Sequence, residues 1–132
     1  MQNLLSVSDL DRSDVERLCE RAASFAEVAR RDIKTVPTLR GRTIVNLFYE
    51  ASTRTSSSFE LAAKRLSADL ISVKAAGSAV DKGESLKDTI ATLSAYDPEA
   101  IVIRSPHAGA ADRVARWTEA SVVNAGDGKR EH

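Results

Sequence analysis

Six of the seven residues from Ser52 to Ser58 carry hydroxyls, and the seventh, Arg54, is a cation. This group stands between an apolar run, Thr43-Ile44-Val45-Asn46-Leu47-Phe48, and a helical pattern that puts Phe59, Ala62, Ala63 and Leu66 on one face. Strand, tight turn and helix is the layout in which a helix N-terminus aims free N–H groups at an anion. As a helix start chosen for stability alone it is a poor one. Hydroxyl residues are indifferent helix formers, and an exposed cation at the positive end of the helix dipole costs roughly 0.3–1 kcal/mol. A bound phosphate removes both objections: it accepts from the N–H groups and hydroxyls, and a guanidinium beside it becomes a bidentate partner. A plainer reading competes. Ser57-Ser58-Phe59-Glu60 is a capping box, which would start the helix at Ser57 and leave residues 52–56 as loop.

The elements that would position this turn follow from periodicity. Ser13-Asp14-Val15-Glu16 is a capping box followed by Val15, Leu18, Ala22, Phe25, Ala26, Ala29 and Ile33 at helical spacing. It predicts a long amphipathic helix over residues 13–34, stopped before Pro37. Residues 43–48 read as a strand buried on both faces. A helix to residue 66 and a second strand over 69–73 come next. Residues 74–84 read as a loop rich in small side chains, with Ser78 and Lys82 as its functional candidates. Ser85 can cap a third helix that buries Leu86, Ile90 and Leu93. A third strand over 100–103 ends at Arg104. A short helix over 109–117 turns Val114 and Trp117 inward, and a fourth strand over 121–124 leads into Ala125-Gly126-Asp127-Gly128.

Four alternations of strand and helix predict an α/β fold: a three-layer domain with a four-stranded parallel sheet flanked by helices, plus the long N-terminal helix. Ligands of such sheets sit beyond the carboxyl ends of the strands. The unusual polar residues all fall there. Ser52, Thr53, Arg54 and Thr55 follow strand one, Ser78 and Lys82 follow strand two, Arg104 ends strand three, and His132 lies a short loop after strand four. Arg104 alone would read as a solvated strand end; with Arg54 across the same crevice it becomes half of an anion clamp. His107 has no such neighbours and reads as solvated.

Composition bounds the rest. The 132 residues make one domain, 1–132, with room for a core. With 19 basic and 19 acidic residues, the zero net charge argues against a nucleic-acid or acidic-membrane footprint. The single cysteine, Cys19, excludes an internal disulfide and reads as buried filler beside Leu18. Neither a membrane-spanning run nor a signal peptide is visible, and a cytoplasmic location is expected.

Taken together, these residues resemble the carbamoyl-phosphate-binding half of the aspartate carbamoyltransferase family. The matching pieces are Phe48-Tyr49-Glu50-Ala51-Ser52-Thr53-Arg54-Thr55, Ser58-Phe59-Glu60 and Lys82-Gly83-Glu84-Ser85-Leu86-Lys87-Asp88-Thr89. They continue with Ala100-Ile101-Val102-Ile103-Arg104 and Asn124-Ala125-Gly126-Asp127-Gly128 with His132. The ornithine carbamoyltransferases share the Ser-Thr-Arg-Thr turn, but Lys82 before Gly83-Glu84 and the Asn-Ala-Gly-Asp-Gly loop favour the aspartate enzymes. Ser56 and Ser105 stand where that family often has a basic residue and a histidine.

The resemblance implies transfer of a carbamoyl group from carbamoyl phosphate to L-aspartate, a step of pyrimidine biosynthesis, with no metal and no cofactor. It implies that Ser52, Thr53, Arg54 and Thr55 cradle the phosphate, and that Thr55, Arg104 and His132 donate to the carbamoyl oxygen. It further implies a homotrimer in which Ser78 and Lys82 reach a neighbouring subunit's site. The family's His-Pro-Thr-Gln motif is cut after His132, so the chain reads as an isolated carbamoyl-phosphate-binding domain. Such a domain is expected to bind carbamoyl phosphate or phosphate but to turn over little L-aspartate, which requires the aspartate-binding domain. Its N-terminal helix, which in the family packs partly on that domain, is expected to expose apolar surface. A non-catalytic anion-binding module is the alternative from another functional class.

Overall fold

The computed structural model describes residues 1–74 and 83–132. Ser78 and Lys82 lie outside the described residues. The elements run α1 (Arg12–Ala29), β1 (Thr43–Phe48), α2 (Thr53–Arg65), β2 (Asp69–Lys74), α3 (Gly83–Ser94), β3 (Ala100–Ser105), α4 (Ala110–Trp117) and β4 (Ser121–Asp127). All strand pairs are parallel, in the order β2-β1-β3-β4. The expected α/β architecture is the one observed.

Each sheet face has its own core. Alternate residues of a strand point to opposite faces, and β1 divides accordingly. Val45, Leu47 and Tyr49 join Ile101, Ile103 and Val122 under α3 and α4, which contribute Ile90, Leu93, Ala111 and Val114. Ile44 and Phe48 join Val102 and Ala125 on the other face, where α2 contributes Ala63 and Phe59. The chain therefore sends the helix after β1 to one face and the helix after β3 to the other. Strand order reverses between these two neighbours, which opens a crevice beyond their carboxyl ends.

Several boundaries differ from expectation. Asp11, not Ser13, caps α1; its carboxylate accepts from the Asp14 N–H, and the Asp14 carboxylate accepts from the Asp11 N–H. The helix ends at Ala29, short of residue 34. α3 begins at Gly83, so Ser85 is a first-turn residue rather than the cap. β4 runs on to Asp127, past the expected end at 124. The N-terminus also does something that its sequence does not announce. Leu4 forms a parallel bridge to Val123, donating to the Val122 carbonyl and accepting from the Asn124 N–H, both at 2.8 Å. That segment covers part of the open edge of β4.

The buried role expected of Cys19 is a correction: the thiol is exposed. α1 buries only Val28, with Phe25 half-buried, while Val15 and Leu18 are 43% and 44% exposed. Helical spacing identified an apolar stripe, but nothing among the described residues covers its N-terminal half. Trp117 is half-buried, with the Lys87 ammonium 6.0 Å from its ring centre. His107 is exposed, as expected.

Candidate functional site: an open helix end beside a clamped arginine

α2 begins at Thr53 with Ser52 as its N-cap residue, and no side chain caps it. The first helical backbone bond runs from the Ser56 N–H to the Ser52 carbonyl at 2.9 Å. The choice between Ser52 and Ser57 thus falls to Ser52. A helix leaves its first N–H groups without intrahelical partners, and among the described residues no group accepts from those of Thr53, Arg54 and Thr55. Thr53 and Arg54 are exposed, Ser52 and Thr55 half-buried. The hydroxyl of Ser58 is not aimed at this end; it donates to the Thr55 carbonyl at 2.9 Å. Tyr49, just before the turn, is buried, and burial pushes its hydroxyl pKa up against the opposing effect of a bond to Thr89.

Arg104 lies across the crevice. It pairs in register with Phe48 at the end of β1, and its carbonyl accepts from the Tyr49 N–H at 2.9 Å. Its side chain is 14% exposed and held on two sides. One Nη donates to the Ala125 carbonyl at 3.2 Å, and Nε lies 3.5 Å from the Glu50 carboxylate. The second contact is an ion pair without hydrogen-bond geometry, so among the described residues Nε is a buried donor with no bonded partner. Gly126 makes the space. It has φ +143°, and a Cβ there would sit 3.1–3.2 Å from the guanidinium. A side chain at 126 would push Arg104 aside as well as strain the backbone.

His132 stands beyond β4, after a tight turn in which Asp127 and Arg130 exchange backbone bonds at 2.9 Å. It is exposed and makes no hydrogen bond to Arg104 or to the α2 turn among the described residues. Its neighbour Glu131 is tied down: the carboxylate accepts from the Ser6 hydroxyl and the Val7 N–H, both at 2.9 Å. The topology therefore places Ser52, Thr53, Arg54 and Thr55 just after β1 and Arg104 at the end of the neighbouring β3, with His132 beyond β4.

Glu50 and Gly126 entered the sequence reading only as parts of the matching motifs, without a role, and Glu131 not at all. A hollow of about 270 Å³ flanks the turn on its β2 side, lined by Glu50, Ser52, Thr53, Ser56, Glu60 and Lys74 among others. It excludes Arg104 and His132 and carries two carboxylates, so it is the weaker place for an anion. A larger hollow of about 680 Å³ runs along α1 from Asp14 to Ser24 and touches no strand end.

Comparison with known proteins agrees with this fold. A family profile described as "Aspartate/ornithine carbamoyltransferase, carbamoyl-P binding domain" matches residues 2–132. The aspartate carbamoyltransferase catalytic subunit of Salinispora arenicola is 57% identical over 132 residues, covering 100% of this chain and 43% of that protein. That of Acidothermus cellulolyticus is 59% identical, covering 100% and 41%. Among solved structures, the aspartate transcarbamoylase of Trypanosoma cruzi in complex with phosphate superposes with a TM-score of 0.90 at 32% identity, covering 99% of this chain and 41% of that one. The same enzyme in complex with carbamoyl phosphate gives 0.87 at 32% identity, with 99% and 40% covered. The chain thus spans about two-fifths of the length of these relatives. It belongs to the aspartate/ornithine carbamoyltransferase family and corresponds to the family's carbamoyl-phosphate-binding domain.

Proposed function

We propose that this family member serves aspartate carbamoyl transfer, and that residues 1–132 supply the carbamoyl-phosphate site. The observation that carries the reading is the uncapped α2 N-terminus opening at Thr53 beside the switch between β1 and β3. The N–H groups of Thr53, Arg54 and Thr55 with the Ser52 hydroxyl hold the phosphate, and the Arg54 guanidinium supplies a paired cation. Arg104, clamped by Glu50 and the Ala125 carbonyl, donates with Thr55 and His132 to the carbamoyl oxygen.

In this reaction the α-amino nitrogen of L-aspartate bonds to the carbamoyl carbon, the C–O bond to phosphate breaks, and the nitrogen loses a proton. Negative charge gathers on the carbamoyl oxygen on the way. A donor aimed at such an oxygen lowers the barrier by about 2.7–4 kcal/mol. The helix end stabilises the leaving phosphate, so positioning and electrostatics do the chemistry without a covalent enzyme intermediate. Ser78 and Lys82 are assigned to the site of a neighbouring subunit in a trimer. An acceptor-specific reading is favoured by the names of the 57–59% identical relatives, all of them aspartate enzymes.

The 132 residues alone are expected to bind carbamoyl phosphate or phosphate and to form little carbamoyl aspartate. Calorimetric titration of the chain with each anion tests the site. Saturable binding that Arg54→Ala removes is the expected result, and no heat from either anion would overturn the assignment.

A further inference from the structure

Asn46 interrupts the apolar run of β1 and is 1% exposed, among the most buried side chains of the chain. Its Nδ2 donates to the Ser56 carbonyl, at the fourth residue of α2, at 3.3 Å. Its Oδ1 is buried without a hydrogen-bond partner among the described residues. In sequence Asn46 sits between Ile44 and Phe48 on the face that α2 covers, and in register with Ser72 of β2. Ser72 also contacts α2, donating through its hydroxyl to the Glu60 carboxylate at 3.0 Å. Ser56 and Glu60 are four residues apart, so two polar bonds one helical turn apart run from neighbouring strands to the same helix.

Stability does not call for this arrangement. Ala63 and Phe59 already seat α2 by apolar contact. Asparagine is a poor strand former, and an unpaired buried acceptor is unfavourable. Polar bonds give what apolar packing lacks, a fixed direction: they set how far α2 slides along, and rotates about, its own axis. That setting decides where the N–H groups of Thr53, Arg54 and Thr55 point. We infer that Asn46 is a positioning residue for the anion site, holding the open end of α2 at the crevice through the Ser56 carbonyl. The inference rests on the phosphate role proposed for that helix end.

Asn46→Leu separates positioning from structure. Leucine keeps the branched frame of asparagine, removes the donor together with the orphan acceptor, and leaves the Ser56 carbonyl to its own helical N–H partner. Inorganic phosphate is titrated calorimetrically into the chain, its Arg54→Ala variant and its Asn46→Leu variant, with a melting temperature for each. The expected outcome is a Kd weakened about tenfold in Asn46→Leu, as displacement of a site by a fraction of an ångström produces, at an unchanged or raised Tm. If leucine is too bulky to fold, Asn46→Val takes its place with the same expectation. An unchanged Kd in the leucine or valine variant, while Arg54→Ala loses binding, overturns the positioning role and leaves the site standing. A weakened Kd that tracks a lowered Tm also overturns it, because a structural role alone would do that. Absence of phosphate binding by the unaltered chain overturns the site and the inference together.

Discussion

The helices α1 and α2 invert each other's design. α1 has a complete N-terminal capping box and almost no core: Asp11 and Asp14 satisfy each other's N–H groups, while only Val28 is buried. α2 is seated on the sheet through Ala63 and Phe59, yet its N-terminus is uncapped and followed at once by a cation. A cap stabilises a helix by supplying acceptors for orphan N–H groups. Where packing already holds the helix, leaving those groups open costs little that the fold cannot bear, and keeps them for a ligand. Amphipathic pattern alone does not distinguish the two helices; the state of the first turn does.

The largest effect should come from removing the cation at the open end. Arg54→Ala is expected to weaken phosphate binding by about 10- to 100-fold, the worth of a charge-assisted bond, with the melting temperature unchanged because Arg54 is exposed. Calorimetry and thermal denaturation read both, and retained affinity would erase the distinction drawn between the helices. Gly126→Ala comes next. It forces strained backbone and crowds the Arg104 guanidinium, so about 1–3 kcal/mol of stability should be lost in urea unfolding, along with carbamoyl phosphate affinity.

At the capped helix the effects are smaller and confined to stability. Asp11→Ala should fray the start of α1, visible as lost ellipticity at 222 nm, without moving the phosphate Kd. Acid should do the same. The backbone bond from Asp14, with help from Ser13, lowers the Asp11 pKa below its ordinary 3.8. The folded form therefore binds its proton less readily than the unfolded form, so the contribution is full above about pH 4 and fades as pH falls through the lowered value. Stability that fades instead above neutral pH at this site would contradict the capping geometry. Smallest of all, Leu18→Gln should change stability by no more than about 0.5 kcal/mol, because the side chain is already 44% exposed.

The strands and their alternation with helices were legible because β1, β3 and β4 each carry a short apolar stretch bounded by polar turns. The residues of the Ser52–Thr55 turn were legible because their chemistry conflicts with their place in a helix. Burial was less so. Cys19 and Leu18 sit on a helical stripe that spacing alone assigns to a core, yet nothing among the described residues covers the first half of α1. The clamp on Arg104 was hidden for a different reason: Glu50 and Gly126 come from separate strand ends, and their meeting depends on the β1–β3–β4 register. Asn46 carried no signal within its apolar run, because its bond to Ser56 exists only once α2 is packed on β1.

Titration of the ¹⁵N-labelled chain with inorganic phosphate, followed by amide NMR, tests the open helix end most directly. Saturable shifts of the Thr53, Arg54 and Thr55 N–H signals are predicted, with those of Asp14 and Val15 at the capped start of α1 unmoved. Signals at residues 53–55 that stay fixed through the titration, or that move no more than those of α1, would contradict it.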